Sequence, residues 1–233
     1  MLDITYEERR GQIETYFDRT AVEAWSRLTS DAPVGRIRAT VRAGRDRMRE
    51  TLLAWLPLDL TGRRLLDAGC GTGALAVEAA KRGAEVVAVD VAPTLIELAR
   101  ERVPVDLGGG EIRFLAGDML DPALGRFDHV VAMDSLIHYP AAEALAILSG
   151  LATRTATSIL FTFAPKTALL TMMHGVGRFF PRGNRAPAIE PVGERSIKRR
   201  LAEHPELVSW RVGRCERIVS GFYTSQALEL IRR

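Results

Sequence analysis

Asp67, Asp90 and Asp118 each close a short apolar run, and His138 stands just past a fourth. Asp67 leads into Gly69-Cys70-Gly71-Thr72-Gly73, in which three alternating glycines precede the helical pattern Ala74, Leu75, Val77, Ala79, Ala80. Glycines let a backbone take positive φ and let a ligand come close where a side chain would block it. Strand, glycine loop and helix together make a nucleotide cradle, and a carboxylate about 20 residues further on is where ribose hydroxyls are held. A single acid after a strand is commonly a helix N-cap. Three acids closing three successive strands point instead to a ligand site. His138, beside Tyr139, suits a general base or a group that orients an acceptor oxygen. A histidine hydrogen-bonded at a helix start before Pro140 fits that position equally well.

These residues need a scaffold. Strands are expected at 64–68, 84–90, 111–116, 127–133 and 157–163, with helices at 73–82, 93–102 and 140–152. Such alternation predicts an α/β fold, a Rossmann-like parallel sheet with helices on both faces that binds ligands beyond the carboxyl ends of its strands. Residues 1–60 read as a helical arm or lid, with Ile13, Tyr16 and Phe17 on one face, then Val22, Trp25 and Leu28, and then Ile37, Val41, Met48 and Leu52 at helical spacing. The core, 61–233, carries an insertion at about 166–193 with Met172, Met173, Phe179 and Phe180. A short helix is expected from Ser196 to His204. Two closing strands, Val208 to Val219 and Ala227 to Ile231, flank a turn at Ser220-Gly221-Phe222-Tyr223.

Composition bounds the function. The 233 residues are 47% hydrophobic and 26% charged, ordinary values for a globular chain. The net charge of +3 is too small to argue for nucleic acid. Positive charge is concentrated from Lys166 to Arg200, where Arg178, Arg182, Arg185, Arg195, Lys198 and Arg199 face only Glu190 and Glu194. That segment is expected to meet an anion, an anionic lipid surface or a partner. No apolar run reaches the length of a spanning helix, and the acidic, polar start does not read as a secretory signal. Cys70 and Cys215 read as reduced thiols of a cytoplasmic protein, and neither has the neighbours of a metal cluster.

The pattern D-x-G-x-G-x-G from Asp67 resembles motif I of class I S-adenosylmethionine (SAM) methyltransferases more closely than a dinucleotide fingerprint. The resemblance implies that Asp67, Gly69, Cys70, Gly71 and Gly73 surround the methionine part of SAM. It places Asp90 and Val91 at the ribose and Asp118 and Met119 at the adenine, and it adds Asp134, at the end of the fourth strand, to the cofactor-binding residues. Methyl transfer is an in-line displacement on a sulfonium, so positioning and exclusion of water carry much of the catalysis.

A narrower resemblance runs nearly end to end. Tyr16-Phe17-Asp18-Arg19-Thr20-Ala21 with Glu23-Ala24-Trp25, Ile37-Arg38 with Gly44, and Asp134-Ser135-Leu136-Ile137-His138-Tyr139-Pro140 are similar to magnesium-protoporphyrin IX O-methyltransferases. So are Phe161 to Thr167, Phe180-Pro181-Arg182 and Ser220 to Tyr223. The resemblance implies methyl esterification of one propionate of Mg-protoporphyrin IX in (bacterio)chlorophyll synthesis, with the magnesium belonging to the substrate. His138 would hold the carboxylate, and basic residues of the insertion would pair with the second propionate. It also suggests the porphyrin-binding subunit of magnesium chelatase as a partner and peripheral contact with the photosynthetic membrane. One departure is Thr29, which stands where relatives carry a tyrosine with a proposed catalytic role, and this shifts weight to His138 and Tyr16. The core motifs alone also fit a methyltransferase for another hydrophobic acid, a phenol or a quinone. More distant readings are an NAD-dependent dehydrogenase and a SAM-binding scaffold that only holds a partner.

Overall fold

The computed structural model describes residues 5–20, 35–166 and 188–233. Thr29, the residues from Val22 to Leu28, and the aromatic and arginine-rich part of the insertion, including Phe179 and Phe180, lie outside the described residues.

Seven strands form one sheet in the order β3-β2-β1-β4-β5-β7-β6. They are β1 (Arg64–Ala68), β2 (Glu85–Asp90), β3 (Glu111–Ala116), β4 (Phe127–Ala132), β5 (Thr155–Phe163), β6 (Trp210–Ser220) and β7 (Tyr223–Arg232). The first five are parallel, and β7 runs antiparallel between β5 and β6. The order reverses direction between β1 and β4, and a crevice opens at such a switch point beyond the strand ends.

Neighbouring strand residues serve opposite faces. Leu66, Val87, Val130, Ile159 and Phe161 pack under α5 (Ala141–Ala152) and α6 (Glu194–Glu203), where Ile13 of α1 (Tyr6–Thr15) joins them. Leu65, Val86, Ala88, Val131 and Leu160 pack under α2 (Arg36–Trp55), α3 (Ala74–Ala80) and α4 (Pro93–Glu101). Both faces are covered, so central strands such as β1 and β2 are near-continuous apolar runs rather than alternating ones.

The N-terminal 60 residues are not uniform in burial. In α2, Met48, Leu52 and Leu53 are buried in the core of the second face. Gly44 lies on Tyr223 so closely that a Cβ there would stand 2.4 Å from the ring atom Cδ1. That contact sets the rotation of α2 on the hairpin. Ile37, expected on the buried face, is 58% exposed. Thr40 packs on Gly221 at the hairpin tip, so one turn earlier the helix has run past its support. A single π-helical turn, Tyr16–Thr20, follows α1. Its Asp18 accepts hydrogen bonds from the Thr94 amide (3.0 Å) and hydroxyl (2.6 Å) at the start of α4.

The last strand begins at Tyr223, four positions ahead of the expected Ala227. Ser220 pairs directly with Tyr223, so only Gly221 and Phe222 form the turn. At the register shift between Val212 and Cys215, the buried Glu229 takes a bidentate pair from Arg214, whose guanidinium also lies 5.2 Å from the Trp55 ring centroid. This ties the end of α2 to the hairpin.

Candidate active site

The glycine loop leaves β1 and is held by β2. The amides of Gly69 and Cys70 donate to the Val89 carbonyl at 2.8 and 3.0 Å. Gly69, Gly71 and Gly73 have φ of 83°, 54° and 78°, a region that other residues enter only with strain. A Cβ on Gly73 would meet the Phe114 ring at 2.8 Å, and one on Gly69 would meet Ser135 Cβ at 2.4 Å. Asp90 accepts from the Gly71 amide (2.8 Å) and the Ala92 amide (3.0 Å), so it shapes the loop as well as lining the cavity.

Asp67 is buried, and its Oδ2 has no hydrogen-bond partner among the described residues. Burial, and then the charge of Asp90, push its carboxyl up to about 7. An orphaned acid beside a second acid in a close-approach loop is a site prepared for a cationic ligand. Burial next to Asp67 and Asp90 likewise raises the Cys70 thiol well above its usual range, which keeps it protonated. The amino-acid and sulfonium groups of SAM fit this end, with Asp67 and the loop from Gly69 to Gly73 as the groups that would hold them.

Val91 and Met119 wall the same cavity. Asp118 is not among the lining residues, although Gly117 and Met119 on either side of it are: its Oδ1 accepts from Tyr6 Oη (2.7 Å) and the Leu120 amide (2.8 Å), and Oδ2 pairs with Arg10 (2.6 Å). Helix α1 therefore closes over the strand-end Gly-Asp. It is held further by Arg9–Glu143 at 3.0 Å and by stacking of Tyr6 on Tyr139.

The other end of the cavity lies after β4. Asp134 has φ of 53°, the one positive value at a non-glycine position among the described residues. Its carboxylate accepts from Tyr223 Oη (3.0 Å), Ser225 Oγ (3.0 Å) and Thr162 Oγ1 (3.1 Å) and pairs with Arg45 (2.8 Å). The chain then makes a 3-10 turn, Leu136–His138. His138 is buried, and its Nδ1 lies 3.3 Å from the Ala188 carbonyl oxygen. That oxygen only accepts, so Nδ1 carries a proton. Phe17 meets the imidazole edge-on at a centroid distance of 5.9 Å, with Tyr16 against Phe17 at 5.1 Å. Burial raises the Tyr16 hydroxyl, which keeps it a neutral donor.

Both ends open into one cavity of about 700 Å³ that reaches from Asp67 and the glycine loop to Tyr16, Asp134 and His138. The two ends of the insertion meet at its rim: the Val192 amide donates to Ala164 O (2.9 Å), the Lys166 amide to Val192 O (3.0 Å) and the Glu190 amide to Ile137 O (2.8 Å). Of the residues selected from the sequence, Asp118 has its carboxylate occupied by α1 and Asp134 has its carboxylate occupied by Arg45 of α2, and Thr29 lies outside the described residues. Arg45, Tyr223, Ser225, Tyr6 and Arg10 were not legible as site residues, because each reaches its acid from a distant segment. Arg154 was also missed: it donates to the carbonyls of Met119 and Asp121 and carries no local sequence signal.

The family model described as "Magnesium-protoporphyrin IX methyltransferase C-terminus" matches residues 132–232, and a general "Methyltransferase domain" matches residues 65–156. Over 225 residues the chain is 49% identical to a magnesium-protoporphyrin O-methyltransferase of Rhodobacter capsulatus, covering 96% of this chain and 97% of that one. The crystal structure of the magnesium protoporphyrin IX methyltransferase of Synechocystis with bound S-adenosylhomocysteine superposes with a TM-score of 0.83 at 29% identity, covering 96% of this chain and all of that one. The same enzyme with bound SAM gives a TM-score of 0.80. With that near full-length identity joined to a cavity that runs from an orphaned acid to a buried histidine, the chain belongs to the magnesium-protoporphyrin O-methyltransferase family.

Proposed function

We propose that this protein transfers the methyl group of SAM to a propionate carboxylate of Mg-protoporphyrin IX and forms the monomethyl ester. The single observation that carries the reading is one cavity with a cation-seeking glycine-loop end and a histidine at its acceptor end, in a chain 49% identical to a named magnesium-protoporphyrin O-methyltransferase.

SAM supplies the electrophilic methyl group. The chain's task is placement. A propionate ionises near the pKa of glutamate, about 4.3, so it is a nucleophile at neutral pH without a base. His138 orients the carboxylate from the cavity wall, its ring held by the Nδ1 contact with the Ala188 carbonyl. Tyr16 adds a neutral hydroxyl at the same wall. Asp67 faces the cationic part of SAM. Asp90 and Val91 would hold the ribose, and Met119 and Asp118 the adenine. Asp134 supports the acceptor wall rather than touching the reacting atoms, because Arg45, Tyr223, Ser225 and Thr162 already engage its carboxylate. Residues 1–60 serve as an arm in which α1 covers the adenosine end and α2 forms the fixed wall.

Mg-protoporphyrin IX is the substrate in this reading, and a porphyrin-delivering chelatase subunit is its natural donor because a flat apolar macrocycle is poorly soluble. No helix among the described residues is long and apolar enough to cross a membrane. The basic sequence from Lys166 to Arg200 is the segment whose charge suits contact with anionic lipid. Transfer of labelled methyl from SAM to Mg-protoporphyrin IX by purified protein tests the reaction, with metal-free protoporphyrin alongside. A labelled monoester is expected from the magnesium form. SAM binding without transfer would overturn the substrate.

A further inference from the structure

The cavity is lined by charges of both signs. At the glycine-loop end stand Asp67 and Asp90. Into the same cavity α2 presents Arg38, Arg42, Arg45 and Arg49, which share one helical stripe with Asp46. The stripe is turned to the cavity by the adjoining face of α2, about a quarter-turn round, which is pinned through Gly44 to Tyr223 and through Met48 and Leu52 to the core. Arg45 pairs with Asp134 at 2.8 Å and Arg49 with Asp46 at 2.9 Å, and Arg42 is engaged as well. Arg38 makes no ion pair among the described residues and is exposed at the mouth, and Arg42 is half-buried one turn inward. From Arg45, itself fixed to Asp134 four positions before His138, Arg42 and Arg38 stand about 5 and 10 Å along the helix axis.

The proposed substrate carries two propionates on one edge of the macrocycle, and only one is esterified. Seating the first at His138 leaves the second as a bare carboxylate against a largely apolar cavity, which is costly without a cation. Arginine presents a planar fork that matches a carboxylate and stays charged when partly desolvated. We propose that Arg38 and Arg42 of α2 hold the propionate that is not methylated, and so select a diacid porphyrin and fix which edge enters. This inference rests on the reaction proposed above. It assigns the second carboxylate to α2 rather than to the insertion.

The test measures binding by fluorescence of Mg-protoporphyrin IX monomethyl ester and dimethyl ester to wild type, R38Q/R42Q and the control R36Q. Glutamine is a good helix former, so α2 is kept. The two ligands differ only in the second carboxylate. Wild type and R36Q are expected to bind the monoester about 10- to 100-fold tighter than the diester, the range for a charge-assisted hydrogen-bonded pair. R38Q/R42Q is expected to bind both within about 3-fold, with SAM affinity by calorimetry within 2-fold of wild type. Equal binding of the two esters by wild type, or discrimination retained in the double variant, overturns the assignment. Loss of SAM affinity in the double variant does so too, by placing the arginines on the SAM carboxylate. Methyl transfer by the same wild-type sample is read in parallel: its absence overturns the underlying reaction, and its presence with no ester discrimination overturns only the role of the arginines.

Discussion

Arg45 on α2 and Asp134 just past β4, 89 positions apart in sequence, form a 2.8 Å ion pair in which the side chains are 19% and 5% exposed. Asp134 holds a positive φ, and its four side-chain partners compensate that strain. The pair joins the arginine wall to the strand end that leads to His138.

Breaking the pair from one side leaves a largely buried charge unpaired. Arg45→Met is expected to cost about 2–4 kcal/mol in urea unfolding, and Arg45→Met/Asp134→Asn less than the sum of the single changes. Asp134→Gly removes the strain together with every bond to the carboxylate, and is expected to be less stable than wild type despite its better backbone. Additive single effects would show that the two residues act independently.

The buried Asp67 gives SAM affinity a defined pH dependence. Its carboxyl is raised to about 7 by burial and Asp90, so the free protein holds a proton there that the unfolded chain releases near 4. The folded state binds more protons between those values, so this group lowers stability as pH rises from about 4 to 7. A cationic ligand favours the ionised form. SAM is therefore expected to bind more tightly as pH rises through about 7, with proton release measurable by calorimetry in two buffers. Asp67→Asn is expected to gain on the order of 1–3 kcal/mol of stability at pH 8 while losing SAM affinity and its pH dependence. Unchanged affinity in the variant would remove Asp67 from the site.

The acceptor chemistry is read from two substitutions at His138. If the imidazole orients a carboxylate that is already ionised, His138→Ala should lose about 10²–10³ in kcat, and His138→Asn, which still offers an N–H, should recover about tenfold of that loss. A phenolic acceptor needs a base, and asparagine supplies none. Equal damage from the two variants would favour the phenol reading.

Arg154 tests whether the adenine wall is set from outside the cavity. Its guanidinium donates to the Met119 and Asp121 carbonyls from the junction of α5 and β5. Arg154→Met is expected to raise KM for SAM about tenfold with kcat within 2-fold, since the reacting end is untouched. A matched fall in kcat would place its effect on the chemical step.

The sequence by itself determined the parallel core, the strand-end acids and the glycine loop. Those signals are local: apolar runs of strand length, glycines where φ must be positive, and acids closing strands. It also singled out His138, through the segment from Asp134 to Pro140, and the structure puts that residue on the cavity wall. Other features required the tertiary structure, because they join residues far apart in the chain. Asp118 is engaged by Tyr6 and Arg10 across more than 100 positions, and nothing in the Gly-Asp pair announces that. Asp134 turned from a ligand candidate into the centre of a clamp once Arg45, Tyr223 and Ser225 came within 3.0 Å of it. The N-terminal 60 residues read as one amphipathic arm, yet Met48 and Leu52 are core while Ile37 is exposed. Periodicity reports that a helix has an apolar face, but the contact of Gly44 with Tyr223 decides how that face is turned and which arginines reach the cavity.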